Sequence, residues 1–195
     1  MPDLARTYPE TFYRSRARYR APYRAFAAAI EELLAPRSLI DIGCGAGYIV
    51  EYFAGRIPVL GVDGSPGAKA AQPPEARKRC ILRDLTEPPI DILSAFECAV
   101  SIEVAEHIPA EHEDAFLAWF SKARRVLFTA APPGQGGTGH VNEQPPEHWI
   151  ERFATLGLAH DPELTGKWKS LARRKAHGGC PWVTRNALVF VRSEQ

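Results

Sequence analysis

Four side chains in this sequence have the types and spacing for acid–base or metal chemistry. Three fall in "SIEVAEHIP", Ser101 to Pro109, where Glu103, Glu106 and His107 close an apolar run. If a helical turn starts at Glu103, then Glu106 and His107 fall at i+3 and i+4 on its face and the three make one cluster. The fourth is His140, in the glycine-rich stretch "APPGQGGTGHVNEQPPEHWI". Three readings are open. The group can close a ligand pocket and start a helix. It can bind a divalent cation, two carboxylates and two imidazoles suiting Mn, Fe or Zn better than Mg. Or His107 or His140, with Glu106, can serve as a general base with no metal, the version favoured here.

A second constellation lies upstream. "DIGCGAG" places Gly43, Gly45 and Gly47 after an apolar run, and the next apolar run ends in Asp63, twenty residues beyond Gly43. Glycine lets the chain turn from strand to helix and lets its backbone approach a ligand, while a carboxylate at the tip of the adjacent strand can take both ribose hydroxyls. A nucleoside site follows from that spacing. Asp41 narrows the ligand. Two residues before Gly43, its charge disfavours the pyrophosphate of a dinucleotide and favours a molecule carrying ammonium and sulfonium cations, as S-adenosylmethionine does.

On these residues the chain resembles the class I S-adenosylmethionine-dependent methyltransferases over roughly Leu39 to Leu127 and the terminal strand. "DIGCGAG", "GVDGS", "RDL" and "AVSIEVAEHIP" look like the superfamily's first four motifs. The resemblance implies that Gly43, Gly45 and Gly47 wrap the methionine part of the cofactor and that Asp41 orients its amine. It implies Asp63 on the ribose, Asp84 on the adenine amino group, Leu85 offering a backbone amide, and Gly64 and Glu103 completing the cofactor site. Gly64 departs from the pattern, since many relatives carry a bulky side chain there against adenine; Ile42 or Leu85 is expected to pack in its place. The implied fold is α/β, a Rossmann-like seven-stranded sheet in the order 3-2-1-4-5-7-6 with the last strand antiparallel and helices on both faces. In some relatives a similar Glu-x-x-Glu-His binds a divalent cation, and in many others no metal is implied.

The implied reaction is in-line displacement at the sulfonium methyl, which needs a nucleophile held about 3 Å from carbon. An alcohol acceptor also needs its proton removed, so two histidines and two glutamates favour transfer to a hydroxyl of a small molecule or glycan-like metabolite. The alternatives are an RNA methyltransferase, other chemistry on the same cofactor (aminocarboxypropyl transfer or cyclisation), and a non-catalytic cofactor-binding partner subunit.

The elements that must position these residues alternate as in a parallel sheet covered by helices. "RSLIDIGCG", "IPVLGVDGS", "KRCILRDL", "FECAVSIEV" and "RRVLFTAAPP" read as five strands, a weaker one lies near "LAHDPELT", and "RNALVFVR" is the last. "YRAPYRAFAAAIEELLAP" reads as a leading helix, and "AGYIVEYFAGR", "PAEHEDAFLAWFSKA" and "PPEHWIERFATLGL" as helices between strands. One domain, 1–195, is expected, with residues 1–35 as a helical cover and 133–146 as a substrate loop whose polar groups are His140, Asn142, Glu143 and Gln144. Trp149, Trp168 and Trp182 read as packing residues.

Composition bounds the remainder. At 195 residues, 45% hydrophobic and 24% charged, the chain fits a single core. Its formal net charge is +1, but residues 84–114 hold nine acids and no Lys or Arg, whereas 166–185 hold six Lys/Arg and no acid. The basic segments could meet an anionic substrate or RNA; solvated surface is the blander reading. Cys44, Cys80, Cys98 and Cys180 are far apart and read as reduced packing thiols, and His177 with Cys180 lacks a second pair for a metal site. No membrane span and no signal-like segment is read, so a cytoplasmic enzyme is expected.

Overall fold

The computed structural model describes residues 4–89 and 96–193. Seven strands form one sheet: β1 (Leu39–Ile42), β2 (Val59–Asp63), β3 (Cys80–Leu82), β4 (Cys98–Ile102), β5 (Arg125–Thr129), β6 (Leu158–His160) and β7 (Leu188–Arg192). Their order is β3-β2-β1-β4-β5-β7-β6, as expected. β1 pairs in parallel with β2 and β4, and β4 with β5, while β7 runs antiparallel to both β5 and β6.

Alternation along the central strands feeds two cores. Ala99, Val126, Phe128, Leu188 and Phe190 face α8 (Pro146–Ala154) and the segment around α7 (Glu113–Leu117), meeting Phe116, Phe120, Trp149 and Phe153. Cys98, Val100, Leu127 and Val189 face the other way, toward Phe26 and Ile30 of α3 (Arg20–Leu34), Phe53 of α4 (Tyr48–Phe53) and Trp168 of α9 (Pro162–Lys175). Each such fully buried large side chain contributes about 1.5–3 kcal/mol. Trp149 and Trp168 are core residues, at 1% and 0% exposure, and all four cysteines are free and buried.

Local chemistry accounts for where the elements differ from the expectation. The strand at "LAHDPELT" stops at His160 because Asp161 caps α9: its Oδ1 accepts from the Leu164 amide at 2.8 Å and Pro162 takes the first helical position. The basic run therefore begins in a helix, whose last turn carries Arg173, Arg174 and Lys175 where cations favour the helix dipole. The helix expected over "PAEHEDAFLAWFSKA" is broken into 3₁₀ turns at Ala110–His112 and Ala118–Phe120 around the short α7, which has no side-chain cap. Two short helices, α5 (Pro66–Ala71) and α6 (Pro74–Arg77), occupy the proline-rich connection, each with proline leading. Near the C-terminus α10 (Pro181–Asn186) precedes β7. At the start, α1 (Leu4–Thr7) and α2 (Glu10–Arg14) form a strap ahead of α3; the first three residues of the expected cover lie outside the described residues.

Candidate active site

A cavity of about 950 Å³ opens at the carboxyl ends of β1, β2 and β4, beside the point where strand order reverses between β1 and β4. That is at the upper end of the ~300–1,000 Å³ usual for ligand sites, enough for a nucleoside-sized molecule and a second reactant.

One half is built from the glycine loop. Gly43 holds φ +77°, and a Cβ there would lie 2.3 Å from Val104 Cγ2, so glycine is required for the close turn of β1 into α4. The Gly45 amide donates to Asp63 Oδ2 and the Ser65 amide to Asp63 Oδ1, both at 2.8 Å. Asp63 is thereby fixed at the tip of β2, with a second lone pair on each oxygen left for a ligand. Burial pushes its carboxyl up, and the two amides work against that shift. Asp41, 3% exposed, also lines the cavity; burial first, and then the charge of Asp63, push it up to about 8, and among the described residues no donor offsets them. A buried carboxyl lacking a cation, beside a glycine turn and a fixed acid, fits the ammonium and ribose of S-adenosylmethionine.

Several expected contacts fall elsewhere. Gly47 does not line the cavity: it heads α4 and faces Ala76 and Gln72. Ile42 is in the core at 0% exposure, so it cannot pack on a ligand, whereas Leu85 does line the cavity. Gly64 is covered instead from the strap, Leu4 Cδ1 lying 3.0 Å from where a Cβ would be. Tyr13 sits in the same way over Gly45, at 3.5 Å. Asp84 lines the cavity with its Oδ1 accepting from the Thr86 amide and hydroxyl at 2.9 and 2.7 Å. Leu4 was not singled out from sequence, whereas Tyr13 belongs to the aromatic residues Phe12, Tyr13, Tyr19 and Tyr23 that interleave with arginines in the expected cover.

The other half holds the histidines, and here the four-residue cluster divides. Glu103, in the left-handed region at φ +55°, has its carboxylate taken by Thr129 Oγ1 at 2.7 Å, Gln135 Nε2 at 2.9 Å and Asn186 Nδ2 at 3.1 Å. It clamps β5, the glycine-rich loop and α10 together. Glu106, His107 and His140 remain a group, one ligand atom of each lying within 4.8 Å of the others. Glu106 and His107 sit in a 3₁₀ turn, Ala105–His107, directly after β4.

Their hydrogen bonds fix which atoms are available. His140 Nδ1 lies 2.7 Å from Glu143 Oε1, and Glu143 also accepts the Gly134 and Gly136 amides at 2.7 Å. The hydrogen bond from His140 holds Glu143 below the usual carboxylate range, so it is ionised and the imidazole proton sits on Nδ1. His107 Nδ1 lies 3.1 Å from the Gly139 carbonyl, which can only accept. Burial pushes His107 down to about 4, opposed by that bond and assisted by His140, so the ring is neutral. His107 thus keeps Nε2 as a lone-pair acceptor, while Nδ1 of His140 is committed to Glu143. Glu106 is 0% exposed, and neither of its carboxyl oxygens has a hydrogen-bond partner among the described residues; His140 Nε2 is 4.0 Å from its Oε1. Burial, and then the charge of Glu103, push Glu106 above the usual range; the backbone of Glu106 and Ala131 opposes the shift without making a well-formed hydrogen bond. Of the other loop groups, Asn142 turns inward to Glu113 at 2.8 Å and anchors the loop, with Gln144 donating to it at 2.9 Å.

Among curated proteins none matches the sequence. Solved structures share the fold: the methyltransferase domain of the bacterial CtHen1 is 17% identical, with 84% of this chain and 94% of that one covered and a TM-score of 0.54. The sugar N-methyltransferase KedS8 from a Streptoalloteichus species is 16% identical over 94% and 92% of the two chains, at a TM-score of 0.63. The magnesium protoporphyrin IX methyltransferase of Synechocystis is 17% identical over 88% and 83%, at 0.61. The family model described as a methyltransferase domain matches residues 13–189, and the chain belongs to that family, within the class I S-adenosylmethionine-dependent methyltransferases.

Proposed function

We propose that the protein moves the methyl group of S-adenosylmethionine to a hydroxyl of a small-molecule acceptor. One observation carries the acceptor half of this reading: neither carboxyl oxygen of Glu106 has a hydrogen-bond partner among the described residues, and His107 and His140 each bring a ring nitrogen within 4.8 Å of it. A ligand that fills this group must bring hydrogen-bonding capacity of its own, as a hydroxyl, donor and acceptor at once, does. When bound, the cofactor supplies an electrophilic sulfonium methyl and leaves as S-adenosylhomocysteine. Asp41 holds its ammonium, Asp63 its ribose, Gly43 and Gly45 give it room, and Gly64, Asp84, Leu85 and Leu4 surround the base. His140, aimed by Glu143, takes the acceptor proton at Nε2; His107 and Glu106 orient the hydroxyl. The strap and the loop 133–146 enclose both reactants and exclude water.

Incubation with trideuteromethyl-labelled S-adenosylmethionine and a pool of cellular small molecules tests this reading. The product should gain one labelled methyl, and its carbon shift should be that of a methyl ether. Label on nitrogen or carbon, or only in RNA, overturns the hydroxyl assignment; transfer of an aminocarboxypropyl group overturns methyl transfer itself.

The same unpartnered carboxyl favours a second reading, a cation of the Mn, Fe or Zn class between Glu106, His107 and His140. Chelation would then abolish turnover and added metal restore it, whereas the metal-free base ignores chelator.

A further inference from the structure

Two glycines keep space open for a single residue of the strap. At Gly67, on α5, a Cβ would lie 2.3 Å from the Tyr8 carbonyl oxygen; at Gly139, in the loop, a Cβ would lie 2.1 Å from the Tyr8 hydroxyl. No side chain fits at either distance without displacing Tyr8. Ser65 Oγ donates to the same Tyr8 carbonyl at 3.0 Å, so the residue is gripped through its backbone on one side of the cleft and through its ring on the other. Phe12 packs edge-on against that ring, with centroids 5.0 Å apart.

The hydroxyl bridges two elements that must come together for chemistry. It donates to the Thr138 carbonyl at 3.1 Å and lies 3.0 Å from His107 Nδ1. Since Gly139 O can only accept, Nδ1 carries the ring proton, and since the Tyr8 proton goes to Thr138, the Tyr8 oxygen is free to accept a second branch from Nδ1–H. Every donor and acceptor in the trio is then used, and His107 presents its lone pair from Nε2.

We propose that Tyr8 is a positioning residue that, through its bond to the Thr138 carbonyl, holds the adjoining Gly139 carbonyl against His107 and so keeps the ring as the Nδ1–H tautomer, so that the proton-accepting face of the site is complete only while the N-terminal strap is docked. The consequence for catalysis rests on the methyl-transfer reading; the geometry does not. Leu4 over Gly64 and Tyr13 over Gly45 belong to the same strap. Cofactor exchange therefore requires release of Tyr8, and its return restores the orientation of His107, which ties cofactor entry to readiness of the acceptor half.

The test is Tyr8→Phe, which keeps the ring and removes the hydroxyl. Long-range proton–nitrogen spectra of the full chain with S-adenosylhomocysteine should show His107 protonated on Nδ1 in the wild type and on a mixture of both nitrogens in the variant. Turnover should fall about three- to tenfold, the worth of one such hydrogen bond, while the KM for S-adenosylmethionine stays within about twofold. Restoring the hydroxyl with a fluorotyrosine at position 8 should restore the tautomer. A wild-type proton on Nε2, or a wild-type tautomer in Tyr8→Phe, overturns the assignment. The spectra need no acceptor, so they decide the role of Tyr8 even where the methyl-transfer experiment fails.

Discussion

His140 Nδ1 and Glu143 Oε1 lie 2.7 Å apart, and the same carboxylate gathers the amides of Gly134 and Gly136. One side chain therefore folds the glycine-rich loop and aims the imidazole within it. Glu143→Gln keeps the size and one acceptor oxygen but loses the charge that sets the His140 proton on Nδ1. Turnover should drop by about 10- to 100-fold, with S-adenosylhomocysteine affinity unchanged by calorimetry. A variant with wild-type turnover would remove His140 from the proton-accepting role.

Asp63 answers to a different readout. Removing its carboxylate in Asp63→Ala deletes the groups proposed to hold the ribose, each charge-assisted bond being worth about 1.5–3 kcal/mol, so cofactor affinity should fall roughly tenfold or more. The variant also frees the Gly45 and Ser65 amides, so calorimetry is paired with circular dichroism. Equal binding by a folded Asp63→Ala would place the ribose elsewhere.

How far these residues were legible in the sequence depends on whether their role is local. The β1 turn and the Asp63 tip follow from glycine spacing and apolar runs, because each concerns a strand and its immediate continuation, whereas the strand order was implied by the family resemblance. Glu103 shows the limit. Sequence spacing places it with Glu106 and His107, but its partners Thr129, Gln135 and Asn186 come from three distant segments and draw its carboxylate out of the group. Gly47 looks identical to Gly43 and Gly45 in the motif, and only its neighbour Ala76 shows that it serves packing. The helix α9 was missed, the segment being read only as a weak strand, although Asp161-Pro162-Glu163 carries its signal: an N-cap, proline at the first position and an acid in the first turn.

Binding should also be linked to pH through Asp41. In the free protein burial pushes its carboxyl up to about 8, while an ammonium beside it favours the ionised form. Below pH 8 the cofactor must expel the Asp41 proton on binding. Affinity for S-adenosylhomocysteine should therefore rise with pH, by at most about tenfold per unit, and level off above 8. The folding linkage has the opposite sign: a raised carboxyl favours the folded state below the unfolded value near 4 and loses that contribution as pH climbs toward 8. Calorimetry in buffers of different ionisation enthalpy should detect proton release at pH 7 in the wild type and none from this site in Asp41→Asn. Identical proton counts in the two proteins would separate Asp41 from the ammonium.

The strap itself can be undocked without touching the cavity. Gly67 lies outside the cavity lining, yet a Cβ there would meet the Tyr8 carbonyl carbon's oxygen at 2.3 Å and the Glu10 amide nitrogen at 2.7 Å, both backbone atoms that cannot rotate away. Alanine is the better helix former by about 1 kcal/mol, so intrinsic propensity alone would make Gly67→Ala stabilising. Close packing predicts the reverse for residues 4–14: hydrogen exchange there should accelerate at least tenfold while the sheet amides are unchanged. Loss of the strap also exposes Gly45 and Gly64, so release of S-adenosylhomocysteine should quicken in stopped-flow measurements. Slower exchange in residues 4–14 of Gly67→Ala would mean that helix propensity outweighs the contact and that the strap is not seated through Tyr8.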